Sequence, residues 1–334
     1  MHAQLLAPLK AARLAVISEM YNEPDLDWSF TGTWSDYLDM YEAGCRGVTD
    51  ANPDGLVVGP ATAISATSKL QALLQRVAAS NLRMDALTIH SYGNASAWRP
   101  AIARAREALA SRRGVKISSS QPERTQPIPI SVNEFNVLSG AVPGVKHLLN
   151  SHAVAPLMLG ALKELLHYPD VTTVHWAQTL DSGAGDSWGL ITQDGHAKAS
   201  FNALWLFERL LPAAANQSAV AVETDGTVAC VSQIASANST HAALLVWQPM
   251  ACGGDPVPTT TALNVSLAFG QLFGAERNVQ GTVWEISPTS ASYLDNPSSE
   301  WLRPVAWNGV RGSRAEWEGT LGAGCVLALL LEAV

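Results

Sequence analysis

The chain has 334 residues, room for two domains or for one large α/β domain with an appendage, and its 47% hydrophobic fraction can fill a substantial core. A net charge of −8, from 21 Lys and Arg against 29 Asp and Glu, argues against a nucleic-acid partner, which needs clustered basic side chains to displace counterions. No run reaches the ~20 uninterrupted apolar residues of a membrane helix, and the N-terminus does not read as a signal peptide.

Strand-like and helix-like segments alternate from residue 13. Residues 13–19 form a short apolar strand that runs into Asn22-Glu23-Pro24. Residues 35–50 put Leu38, Tyr41, Cys45 and Val48 at helical spacing, with Ser35 as the expected N-cap. A strand over 55–62 precedes a helix over 68–80, with Leu70, Leu73, Leu74 and Val77 on one face. A third strand, 84–93, leads to a helix over 100–113 whose arginines read as a solvated face. The fourth strand, 127–135, leads to a helix over 148–167, and the fifth, 170–180, to one over 196–211. Five βα units with nearly continuous apolar strands predict a parallel sheet covered by helices. After Pro212 the pattern changes to short strand candidates at 227–235, 241–249, 262–270, 281–287 and 325–334, spaced by Gly, Pro and Ser. This predicts an antiparallel β-sandwich and a division into 1–212 and 213–334.

Sites in parallel α/β folds lie at the carboxyl ends of the strands. Those ends deliver Asn22 and Glu23, then Pro60, Ala61 and Thr62, then His90 and Tyr92, then Asn133, Glu134 and Asn136, then His175, Trp176 and Gln178. Each alone has a plain structural reading as a turn, a satisfied histidine or a packed tryptophan. Two carboxylates at the tips of buried strands are costly to desolvate, which points to use. Paired carboxylates are the machinery of glycoside hydrolysis, one protonating the leaving oxygen while the other attacks or activates water. A donor to the sugar 2-hydroxyl, an aromatic floor and a group beside the nucleophile would complete it, roles open to Asn22, Trp176 and Tyr92.

The order Asn-Glu-Pro, then His-x-Tyr two strands later, then Glu, then Trp resembles clan A of the retaining glycoside hydrolases. More narrowly, residues 21–62 and the closing 189–210 are similar to family 39, which includes β-xylosidases and α-L-iduronidases. The resemblance implies a (β/α)8 TIM barrel with a β-sandwich after it, Glu23 as acid/base and Glu134 as nucleophile. It also implies Asn22 on the 2-hydroxyl, His90 and Tyr92 lining the pocket with Tyr92 bonded to Glu134, and Trp176 under the sugar. Counted this way, the five units are barrel strands 4 to 8, the first three having no counterpart in the sequence. A carbohydrate substrate is implied, and neither cofactor nor metal.

A second reading is a catalytically degenerate or truncated carbohydrate-binding protein that keeps an aromatic pocket from Trp28, Trp34, Trp98, Trp176 and Trp188. A plain structural α/β domain is a third. Metal and serine hydrolases fit poorly, since no cluster has metal-ligand spacing and G-x-S-x-G is absent. Cys45 reads as a core residue, whereas a pair among Cys230, Cys252 and Cys325 is open to bridging if the protein is exported. Sequons at Asn94, Asn216, Asn238 and Asn264 fit export.

Overall fold

The computed structural model describes residues 16–93, 95–111, 128–137, 146–183, 188–210, 222–224, 231–237, 241–252, 255–256, 260–268, 279–307, 310–311 and 314–333. Three of the sequons, Cys230 and the side chains of Cys252 and Asn264 lie outside them. The chain forms two compact units, one of Met1–Asn136 with Leu165–Ala177, the other of Val137–Glu164 with Gln178–Val334.

The first unit holds a five-stranded parallel sheet curled as a half-barrel, made of β1 (Ile17–Glu19), β2 (Leu56–Thr62), β3 (Ala86–Tyr92), β4 (Ile130–Asn136) and β5 (Val171–Trp176) in sequential order. Three helices alternate with the strands: α1 (Trp34–Ala51), α2 (Thr67–Ala79) and α3 (Ala95–Ala110). The cap of α1 lies two residues earlier than the sequence reading placed it. Thr33, not Ser35, is the N-cap: its hydroxyl accepts from the Asp36 N–H, and the Asp36 carboxylate accepts from the Thr33 N–H at 2.7 Å. The reciprocal pair satisfies two otherwise orphaned donors, which a lone serine cannot. Tyr37, Leu38, Tyr41, Cys45 and Val48 make its buried stripe. Gly59 of β2 lets that stripe approach, for a Cβ there would lie 2.9 Å from the Tyr41 ring. α3 starts at Ala95 and carries Pro100 in its second turn.

Two irregularities interrupt the otherwise parallel register. Between β2 and β3, Pro60 faces Thr88 and Thr62 faces Ile89, so Ala61 is an extra residue. Between β3 and β4, Ile89 faces Val132 and His90 faces Glu134, so Asn133 is extra. The β4–β5 ladder skips in the same place, from Val132 to Phe135. Such bulges re-aim side chains and recur beside active sites.

In the second unit the helix expected over 148–167 is two: α4 (Lys146–Leu149) and α5 (Val154–Leu165). Pro156 explains the break, since it lacks an N–H for the preceding turn and its ring clashes with the carbonyl four residues back. α6 (Ala199–Leu210) follows. The strands are β6 (Val222–Thr224), β7 (Ser232–Ala237), β8 (His241–Trp247), β9 (Ala251–Cys252), β10 (Asp255–Pro256), β11 (Thr260–Ala268), β12 (Val279–Ile286), β13 (Val305–Trp307), β14 (Val310–Arg311), β15 (Arg314–Gly322) and β16 (Val326–Ala333). They make antiparallel sheets ordered β14-β15-β11-β6 and β13-β12-β16-β8-β7, with β9 and β10 a separate pair. One buried cluster takes Leu263, Val265, Ala315 and Leu321 from the first sheet and Leu244, Val246, Leu327 and Leu329 from the second. A buried Lys198–Asp181 pair, 3.1 Å to both carboxylate oxygens, fastens the approach to α6. Cys325 is buried and, like Cys45, unbridged among the described residues. No helix of the described residues is long and apolar enough to cross a membrane.

Candidate active site

After β1 the chain turns sharply. Tyr21 and Glu23 both take positive φ, 78° and 50°, in the region that L side chains avoid. Three groups hold the turn. The Tyr21 hydroxyl donates to the Ser29 carbonyl at 2.7 Å, the Ser29 hydroxyl donates to the Asn22 carbonyl at 2.6 Å, and the Glu23 N–H donates to the Ala61 carbonyl at 3.0 Å. Ala61, the extra residue of β2, itself has φ 55° and donates its N–H to the Thr88 hydroxyl at 2.8 Å. Asp25, two residues on, fixes the loop after β2 by accepting the Ala63 and Ile64 N–H groups at 2.9 and 2.8 Å.

The result is a buried Glu23, 7% exposed, with Oε1 2.9 Å from Nδ1 of a fully buried His90. The same Nδ1 lies 3.3 Å from Oε2 of Glu134. Two carboxylate oxygens facing one ring nitrogen assign its hydrogen to Nδ1. The other nitrogen, Nε2, is buried without a hydrogen-bond partner among the described residues. Tyr92, two residues along β3, reaches the same Glu134 oxygen with its hydroxyl, and burial first, then the Glu134 bond, pushes its pKa far above the ordinary tyrosine range. Tyr92 therefore stays protonated and serves Glu134 only as a donor. One oxygen of Glu23 and one of Glu134 fall within 4.8 Å of each other.

Hydrogen bonds thus join Glu23 to His90 and Tyr92 to Glu134, and the 3.3 Å approach of His90 to Glu134 brings the two pairs together. Asn22 sits on the exposed side of the turn, and Trp176, half buried at the end of β5, stands edge-on to Phe135 with centroids 5.0 Å apart. Among the other tryptophans, Trp98 is wholly buried against Phe135 at 4.5 Å and is core rather than pocket wall. Trp28 is 76% exposed, and Trp34 packs on Tyr37 beneath the Lys69 ammonium. Glu19 and Thr88 were absent from the sequence-based site, although a glutamate ending an apolar parallel strand was a usable signal.

Glu23, His90 and Glu134 are also the described residues whose donor atoms stand close enough to grip a metal ion. The arrangement is closed by its own hydrogen bonds instead, with the Nδ1 hydrogen between the carboxylates and the Tyr92 hydroxyl on Glu134. Two carboxylates facing across a few ångströms, one buried and one partly open, suit proton donation and attack on a single centre.

A parallel α/β half-barrel with two glutamates facing each other at its strand ends suits a glycosidase. The profile of Glycosyl hydrolases family 39 matches residues 16–269, and the chain belongs to that family. Among solved structures it is similar to the GH39 enzyme from Xanthomonas axonopodis pv. citri, at 18% identity and TM-score 0.69, covering 100% of this chain and 72% of that one. It is also similar to a monomeric beta-xylosidase from Caulobacter crescentus CB15, at 15% identity and TM-score 0.65, covering 99% and 73%. A glucosidase from Croceicoccus marinus follows at 15% identity and TM-score 0.64, covering 95% and 68%. No curated protein matches the chain in sequence.

Proposed function

We propose that the chain is a retaining exo-glycosidase working by double displacement, with Glu23 as acid/base and Glu134 as nucleophile. The approach of the two carboxylates to within 4.8 Å carries this reading. Retaining enzymes hold their carboxyl groups about 5–5.5 Å apart, whereas inverting ones leave about 6.5–9.5 Å for a water. Glu134 attacks the anomeric carbon as Glu23 protonates the leaving oxygen, and Glu23 then deprotonates the water that releases the sugar. Asn22 would bond the 2-hydroxyl and Trp176 would underlie the ring. In the same reading the five parallel strands are strands 4 to 8 of a (β/α)8 barrel. Residues 1–212 form its catalytic portion, and the two antiparallel sheets of 213–334 form a β-sandwich around their shared cluster.

Aryl β-xylosides and β-glucosides are the first substrates to try, given the neighbours' names. Glu134→Gln should abolish turnover of all of them. Glu23→Gln should lose roughly 10²–10⁴-fold on poor leaving groups and far less on activated ones. The product anomer followed by NMR should retain its configuration, and inverted product or an active Glu134→Gln enzyme refutes the proposal.

A further inference from the structure

Both irregularities that shape the site lead to one side chain. Glu19 ends β1, and its carboxylate accepts the Asn133 Nδ2 hydrogen at 2.5 Å and a hydrogen bond from the Thr88 hydroxyl. Asn133 is the extra residue of β4, immediately before Glu134. Thr88 in turn accepts the N–H of Ala61, the extra residue of β2, whose carbonyl receives the Glu23 N–H. One carboxylate on the edge strand is therefore tied directly to the bulge bearing one site glutamate. Through one hydroxyl it is tied to the bulge seating the other.

We propose that Glu19 is a positioning residue that clamps the Asn133 bulge to the Ala61 bulge, so that Glu23 and Glu134 keep their mutual spacing. The inference rests on the assignment of those two glutamates above. The groups facing Glu19 are His90 from β3, Glu134 from β4, and Tyr37 and Tyr41 from α1. Although Glu19 is exposed as a residue at the sheet edge, desolvation of its carboxyl raises its proton affinity, and the negative Glu134 adds to this, against the Thr88 and Asn133 hydrogen bonds and the pull of His90.

The test compares Glu19→Gln, Asn133→Ala, their double variant and Glu134→Gln in the full chain, measuring kcat, KM, the pH profile and the melting temperature. We expect Glu19→Gln to melt close to the wild-type temperature at pH 7, as befits an exposed side chain, with KM within about twofold and kcat lower by about tenfold, the scale of a small misplacement of reacting groups. The acid limb of kcat/KM should move to lower pH, because a negative charge has left the neighbourhood of Glu134. Asn133→Ala should lose at least as much, and the double variant no more than Asn133→Ala alone, since Glu19→Gln weakens the link that Asn133→Ala removes. Unchanged kcat and acid limb in folded Glu19→Gln and Asn133→Ala, with Glu134→Gln inactive, overturns the clamp and leaves the glycosidase assignment standing. A lower melting temperature with unchanged kcat overturns it too. An active Glu134→Gln enzyme removes the assignment itself, and the clamp with it.

Discussion

At the scale of single residues, the site works through sharing. One imidazole nitrogen is hydrogen-bonded to Glu23 and stands 3.3 Å from an oxygen of Glu134, the same oxygen that takes the Tyr92 hydroxyl. Donors aimed at a carboxylate hold its position and favour its charged form. Tyr92→Phe should therefore slow turnover by roughly 10- to 100-fold, with little change in melting temperature, because the ring keeps its edge-on contact with His90 at 6.4 Å. Steady-state rates beside a thermal melt check both halves of that expectation. The sequence pointed to Glu23, His90, Tyr92 and Glu134 as candidates because each falls at a strand end, and the structure brings these four side chains together. The sequence showed Glu19 only as a glutamate ending a strand, because strand parity says nothing of a partner three strands away across a curled sheet.

At the scale of elements, the capping box that starts α1 offers a pH-dependent handle. Bonds from the Thr33 hydroxyl and N–H hold the Asp36 carboxyl below its ordinary range. A depressed folded-state pKa means stability present above the unfolded value and lost as pH falls through the folded one. Thr33→Ala should cost about 1 kcal/mol at neutral pH, and the gap from wild type should narrow as the pH drops below about 4. Urea titrations at several pH values would show whether the gap closes. The helices of the first unit were legible to within a few residues, apart from the earlier start of α3, because their apolar spacing is regular. The break between α4 and α5 was signalled by Pro156 but masked by the apolar run around it. β15 went unread because Arg314, Glu316 and Glu318 obscure the alternation of Ala315, Trp317 and Leu321, although Ala315 and Leu321 are core.

For the molecule as a whole, two units each carry their own buried interior, and all the hydrogen-bonded site groups belong to the first. The alternation of strands and helices made that fold readable, since a parallel sheet buried on both faces must be written in apolar strands. What no composition could announce was the pair of bulges. The ladders on both sides of β4 resume in register after Asn133, so taking that residue out would leave Glu134 opposite His90 and make β4 an ordinary strand. What the extra residue supplies is the local re-aiming that a bulge gives its neighbours, together with the amide that reaches Glu19. Deleting Asn133 should therefore keep a normal far-ultraviolet circular dichroism spectrum and lower turnover of aryl glycosides. The aim of one side chain is written here as a spare residue, a feature that a search for the right side chains would pass over.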